Sequence, residues 1–303
     1  MILKEALHQA SKTLASVSTE DATLEAELLV MHLLGIDRAQ LYCRLEEELP
    51  PGDVHTLNQL LERRLGHEPI AYIIGRREFF GNDFYVAPGV LIPRAESELL
   101  VEKALDFVFS DSARGSEKTL LSNEKPSVLE KFEKIADIGT GCGAIAISLA
   151  LLLPQARIYA TDISPRALEI ATINCDRHRV RDRVHLLEGD LLDPLPEPVD
   201  IIIANPPYIK DADLSQLSPE IRMFEPLSAL AGGEDGLDKV RQLLGQARGK
   251  LRPGGLVLAE IAADQGEAAA SWARELLPHA RVELAKDLGG WDRVLIAKLL
   301  DMY

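Results

Sequence analysis

The chain has 303 residues, with 33 Lys and Arg against 48 Asp and Glu for a formal charge of -15, three cysteines, and 47% apolar residues. That length and apolar content suffice for two packed domains, and the acidic balance argues against a broad grip on nucleic acid phosphates while leaving a protein partner open. Cys43, Cys142 and Cys175 are widely separated, odd in number and form no CxxC pair, so neither a disulfide framework nor a zinc site is suggested, and reduced thiols in a cytoplasmic protein are expected.

The opening stretch from Met1 to His8 is amphipathic and soon acidic, without the apolar core of a secretory signal or the Arg-rich pattern of a transit peptide. No apolar run is long enough to span a bilayer. Residues 3 to 68 read as short amphipathic helices. Helical spacing places Leu24, Leu28, Leu29 and Leu33 on one face and Leu57, Leu60, Leu61 and Leu65 on another, with a breaker at Pro50-Pro51-Gly52 between them. Tyr72 to Gly75 and Glu78 to Val86 are rich in aromatic and β-branched residues around the turn signal Gly81-Asn82-Asp83, and predict a connecting hairpin. The expected organisation is a helical domain over 1–71, a hairpin linker over 72–94 and a larger domain over 95–303.

A helical pattern runs from Ala95 to Phe109, followed by a polar, Ser-rich stretch from Ser110 to Glu130 that reads as a flexible surface excursion. Strand-like runs then alternate with helical ones: Ile135 to Ile138, Arg157 to Thr161, Val184 to Leu187, Ile201 to Ala204 and Leu256 to Ile261. Such alternation predicts an α/β fold with a doubly wound, mostly parallel sheet. Arg281 to Leu284 and Arg293 to Ala297, around Gly289-Gly290, predict a closing hairpin that adds an antiparallel edge strand.

The segment from Ala136 to Ala144, with Gly139, Thr140, Gly141, Cys142 and Gly143, lies between the first of these strands and a helix. Glycines there permit a tight turn and close approach of a ligand. Gly139-x-Gly141-x-x-Ala144 also satisfies the dinucleotide fingerprint, with Asp162 following the next strand, so a nicotinamide dehydrogenase stays open on spacing alone. Asp137, just before the glycines, favours S-adenosylmethionine, because a carboxylate attracts its ammonium and sulfonium and repels a pyrophosphate. Asp162 has a second reading as part of the helix start at Ser164-Pro165, and Asp190 as a solvated turn residue. Cys142 has no neighbouring His and reads as a small space-filling residue rather than a nucleophile.

Asn205-Pro206-Pro207-Tyr208 directly follows the apolar run 199–204, at the carboxyl end of a strand, where open α/β sheets bind ligands. The prolines fix φ and offer no N-H, so the turn presents acceptors suited to a planar NH2 group. The Asn205 side-chain oxygen and the Pro206 carbonyl would each take one hydrogen, with the Tyr208 ring closing over the group. Arg94, Glu96 and Glu98 read as a solvated helix start, and the histidines form no metal-ligand spacing.

On the glycine loop the chain resembles the class I methyltransferases. The resemblance implies a Rossmann-like fold in which Gly139 to Gly143 hold the methionyl part of S-adenosylmethionine, Asp162 its ribose, and Asp190 with Leu191 its adenine. Gly66 to Gly75, Glu78 to Gly81, Leu91 to Glu98, Glu225-Pro226, Gly232-Gly233 and Asp235 to Leu237 are similar to the HemK-type peptide chain release factor glutamine N5-methyltransferases. That resemblance implies methylation of the glutamine in the Gly-Gly-Gln motif of class 1 release factors, leaving S-adenosyl-L-homocysteine, with the helical domain helping to hold the protein substrate. The run Pro93-Arg94-Ala95-Glu96-Ser97-Glu98 departs from the usual Pro-Arg-Pro-Glu-Thr-Glu. Competing expectations are a glutamine methyltransferase of a ribosomal protein, a nucleic acid adenine N6-methyltransferase, and a noncatalytic adaptor of translation factors.

Overall fold

The computed structural model describes residues 1–16, 21–116 and 133–300. Two compact units emerge, one formed by Met1–Arg76 with Val86–Pro88 and Leu217–Glu225, the other by Arg77–Tyr85, Gly89–Gln216 and Pro226–Tyr303. The first contains helices α1 (Leu3–Leu14), α2 (Ala22–Leu34), α3 (Arg38–Cys43), α4 (Pro51–Leu65) and α5 (Ile70–Ile74). Its core gathers Leu3, Leu14, Leu29, Val30, Leu41, Leu57 and Ile73. The face of α2 differs from the leucine pattern: Ala22, Glu25, Ala26, Glu27, Leu29 and Val30 are buried, whereas Leu24 is exposed. Small alanines let the helix pack closely, and the Arg64 guanidinium satisfies Glu25 with two bonds of 2.9 Å, so an acid is buried on a face that the leucine pattern leaves out.

Tyr72 to Ile74 are not a strand, since Ile70–Ile74 is a helical turn closed by Gly75 at φ 67°. The hairpin proper pairs β1 (Arg76–Phe79) with β2 (Asn82–Tyr85). Helix α6 (Glu98–Ser116) begins three residues later than expected, after a 3-10 turn over Ala95–Ser97, and continues to Ser116. The remainder of the Ser110 to Glu130 stretch lies outside the described residues.

The second unit is built as alternation predicted. Strands β3 (Lys134–Ile138), β4 (Arg157–Asp162), β5 (Val184–Glu188), β6 (Val199–Ala204), β7 (Leu251–Glu260), β8 (Ala280–Lys286) and β9 (Asp292–Leu299) form one sheet in the order β5-β4-β3-β6-β7-β9-β8. The first five are mutually parallel, β9 runs antiparallel to β7, and β8 antiparallel to β9. The crossover helices are α7 (Ala144–Leu152), α8 (Pro165–His178) and α10 (Asp238–Lys250), α11 (Gly266–Leu276) precedes β8, and α9 (Pro219–Phe224) lies in the segment that belongs to the first unit. Every residue of β6 is buried, as expected of a central strand covered on both faces. Strand order reverses beside β3, whose neighbours are β4 and β6. The switch point therefore places the loops after β3, β4 and β6 around one crevice.

Candidate active site

The loop after β3 turns through Gly139 (φ 70°), Gly141 (φ 57°) and Gly143 (φ 85°). These left-handed conformations cost a side-chain-bearing residue roughly 1–2 kcal/mol each. Gly139 and Thr140 both donate backbone hydrogen bonds of 2.9 Å to the Thr161 carbonyl, tying the loop to the end of β4. Asn174, fully buried on α8, donates to the Cys142 carbonyl at 2.8 Å.

Asp137 lies beneath this loop. Its Oδ2 accepts from the Thr140 hydroxyl at 2.6 Å and from the Ala146 N-H at 3.1 Å, and the residue is only 1% exposed. Burial pushes its carboxyl up to about 6, against the opposing effect of these two donors. Cys142 is buried and its thiol is pushed up to about 12 by burial, which removes the thiolate a nucleophile needs. The structure thus gives it the packing environment of the space-filling reading.

Asp162 is not the helix cap. Ser164 fills that role through its hydroxyl and the Ala167 N-H at 3.3 Å, with Pro165 opening α8. The Asp162 carboxylate instead takes Gly141 N-H and Ser164 N-H, each at 2.9 Å, and burial raises its pKa. Asp190 is paired with Lys239 Nζ at 3.1 and 3.3 Å, a residue that sequence reasoning did not single out. Leu191 adopts φ 47°, strained for a branched side chain, and its carbonyl accepts from the Thr161 hydroxyl at 3.0 Å.

These pieces meet in one cleft that is open to solvent. Gly139, Gly141, Asp162, Asp190, Leu191, Asn205, Pro206 and Pro207 line its walls. Thr140, Cys142 and Asn205, with Phe79 and Ser97, line a smaller adjoining recess. Asp137, Gly143 and Tyr208 face neither space. Gly143 packs inside the turn, where a Cβ would stand 3.0 Å from Ile147 Cδ1.

Asn205 sits at the junction of the two spaces. Its Nδ2 donates to the Ser97 hydroxyl at 2.9 Å, and Ser97 donates to Glu260 Oε2 at 2.6 Å. The chain beyond is braced: Gln265 Nε2 donates to the Tyr208 carbonyl at 2.9 Å, Ile209 N-H to the Leu230 carbonyl at 3.0 Å, and Gly232 N-H to the Ile209 carbonyl at 2.8 Å. A Cβ on Gly232 would lie 2.7 Å from the Pro207 carbonyl and one on Gly236 2.3 Å from that of Tyr208, which is why those glycines stand opposite the proline turn. Tyr208 is half-buried, and burial together with the Glu260 charge raises its phenol pKa. Glu98 is no solvated helix start, for its Oε1 accepts from Phe80 N-H at 2.9 Å and anchors the hairpin turn.

A model of the PrmC N-terminal domain matches residues 5–75 and a model of the methyltransferase small domain matches residues 104–224. A release factor glutamine methyltransferase from Moorella thermoacetica is 43% identical over 298 residues, covering 98% of this chain and 98% of its own. The chain belongs to the release factor glutamine methyltransferase family. Another relative of that name, from Geobacter sulfurreducens, is 40% identical over 255 residues, 84% of this chain and 82% of its own. A solved methyltransferase from Pyrococcus furiosus superposes with a TM-score of 0.50 at 20% identity, covering 80% of this chain and 99% of that one, a likeness that carries the fold alone. Membership makes the chain a methyltransferase, and the dehydrogenase and adaptor expectations are set aside. The two rival acceptors, a ribosomal protein and adenine in nucleic acid, are not favoured. No helix among the described residues is long and apolar enough to cross a membrane.

Proposed function

We propose that this chain transfers a methyl group from S-adenosyl-L-methionine to the side-chain amide nitrogen of the glutamine in the Gly-Gly-Gln motif of class 1 release factors, as a cytoplasmic enzyme without a metal. The observation that carries the reading is the placement of the Asn205 amide at the junction between the larger cleft and the recess, within a chain 43% identical to a release factor glutamine methyltransferase over 298 residues.

The donor set fits the cofactor. Two carboxylates on the cleft wall, Asp162 and Asp190, are acceptors for ribose hydroxyls and an adenine amino group, and the buried charge of Asp137 favours a cationic ligand. Gly139 to Gly143 would take the methionyl part. No atoms lie within 4 Å of where a Cβ would stand on Gly139 or Gly141, so the turn leaves room for close ligand approach. When bound, the sulfonium supplies an activated methyl: a nitrogen-carbon bond forms, the sulfur-carbon bond breaks with its electron pair passing to sulfur, and one amide proton is released.

The residues of the chain do the positioning. An amide nitrogen is a poor nucleophile because its lone pair is shared with the carbonyl. With Nδ2 of Asn205 committed to Ser97 at 2.9 Å, Oδ1 is the end offered to a substrate N-H, and the Pro206 carbonyl offers a second acceptor. Both acceptors oppose the positive charge that develops on nitrogen, while alignment of nitrogen and methyl supplies the entropic part of the rate. Residues 1–71 are the proposed holder of the release factor, residues 72–94 the linker and residues 95–303 the catalytic domain.

The test combines calorimetry with turnover. S-adenosylmethionine and S-adenosylhomocysteine should bind and NADH should not, and release factor incubated with enzyme and cofactor should gain the mass of one methyl. Cofactor binding without any methylation of release factor, but with methylation of ribosomal protein or DNA, would replace the proposed acceptor.

A further inference from the structure

Glu260 ends β7 inside the core, 163 residues from Ser97 in sequence and fully buried. Oε2 accepts from Ser97, Oε1 is buried without a hydrogen bond of ordinary geometry, and the Tyr208 hydroxyl is the other side-chain donor that bears on the same carboxyl. Such a group is costly to bury. What it does follows from the direction of the hydrogen-bond chain. A hydroxyl has one proton. If Glu260 is a carboxylate, Ser97 must donate to it, which leaves a Ser97 lone pair for Asn205 Nδ2-H and turns Asn205 Oδ1 outward. If Glu260 carries a proton, it can donate to Ser97, which can then donate to Asn205 only if the amide turns over and offers its NH2 to the recess. A donor facing a substrate NH2 repels it.

We propose that the ionised Glu260 carboxylate, acting through Ser97, sets the orientation of the Asn205 amide, so that Ser97 and Glu260 are positioning residues whose chain polarity decides whether a glutamine amide is accepted. This rests on the glutamine-methylation reading of the same site. Burial pushes the Glu260 carboxyl up to about 7, with Ser97, Tyr208 and Arg293 pulling it down and Glu96 pushing it up. Those are the groups that face it: Arg293 from β9, Tyr208 from the loop after β6, and Glu96 and Ser97 from the turn before α6, with Arg94 acting on Tyr208. The ionisation therefore falls in the working pH range. Below it the inverted chain turns catalysis off, and above it the acceptor is presented.

The experiment measures kcat and KM for release factor against pH for the wild type, Ser97→Ala, Ser97→Thr and Glu260→Gln, with cofactor affinity and melting temperature as controls. Wild-type kcat should rise through about pH 7, where the carboxyl ionises. Ser97→Ala should lose roughly 10- to 100-fold in kcat with cofactor affinity kept, the scale of a misaligned reacting group. Ser97→Thr, which keeps the hydroxyl, should restore the rate. Glu260→Gln should lower kcat and abolish its rise near pH 7. In parallel, the Asn205 side-chain NH2 resonances should shift through the same pH in the wild type and stay fixed in Glu260→Gln, a readout that needs no turnover. Full kcat in Ser97→Ala, or an unchanged pH profile in Glu260→Gln, overturns the proposal. If Ser97→Ala does not fold, loss of activity in Ser97→Thr or pH-independent Asn205 resonances in the wild type overturns it instead. A wild type that never methylates release factor overturns the parent reading, while the resonances still decide the relay.

Discussion

Replacing Asp137 by Asn should make the protein more stable and its cofactor binding weaker at the same time. The isolated carboxyl titrates at 3.8 and the buried one at about 6, a gap of about 2 pH units that corresponds to roughly 3 kcal/mol. Because the folded value is the higher one, the folded state holds the proton more tightly. The stability it contributes is complete below about pH 4 and is lost as pH rises through about 6. At pH 8 the wild type therefore carries the full cost of a buried charge, and at pH 5 only about half of it. Asparagine keeps an oxygen for Thr140 Oγ1 and the Ala146 N-H, which now lie at 2.6 and 3.1 Å, without the charge. Urea unfolding at pH 8 and pH 5 should show Asp137→Asn more stable than wild type by up to about 3 kcal/mol at pH 8, with the advantage roughly halved at pH 5. Calorimetry at pH 8 should show S-adenosylmethionine bound at least about tenfold more weakly, since its ammonium loses a nearby anion in a medium of low polarity. A variant less stable than wild type at pH 8, or one with undiminished cofactor affinity, would refute the reasoning that a cationic ligand explains the retained charge.

Other outcomes follow from the same geometry. Asn205→Ala should lower kcat on release factor by about 100- to 1000-fold, the scale for removing a group aimed at developing charge, with cofactor affinity kept in a titration of the free enzyme. Gly143→Ala forces φ 85° on a residue with a Cβ 3.0 Å from Ile147 Cδ1, and should cost about 1–3 kcal/mol in chemical denaturation along with cofactor affinity. Arg64→Ala strips Glu25 and Glu220, now bonded to it at 2.9 and 3.1 Å. With the Arg64 side chain only 4% exposed, loss of about 3–5 kcal/mol is expected in the helical unit, whereas Arg64→Met with Glu25→Met should recover most of it.

Much of the second unit was legible because buried parallel strands leave continuous apolar runs, and β6 is one. The glycine loop and the proline turn were legible for a different reason: each is contiguous, and its backbone constraints are written in residue type. Helix α2 was misjudged at its face because leucine periodicity says nothing of an arginine 39 residues away that makes Glu25 a buried residue. The turn at Ile70–Ile74 carries β-branched and aromatic residues yet coils, since Pro69 precedes it and Gly75 closes it in the left-handed region. Ser97 hid within a run of charged residues that reads as a solvated helix start, and its meaning depends on Glu260 across 163 positions. Lys239 likewise gains its role only where α10 brings it against Asp190. Tertiary pairing of this kind has no signature in spacing or composition.

Mapping the methyl group on the product tests the central claim most directly. Release factor treated with enzyme and S-adenosylmethionine should be digested and sequenced by tandem mass spectrometry, beside a substrate whose Gly-Gly-Gln glutamine is alanine. The account predicts one methyl on the side-chain nitrogen of that glutamine and none on the alanine substrate. A methyl placed on another residue, or retained when the glutamine is gone, would contradict it.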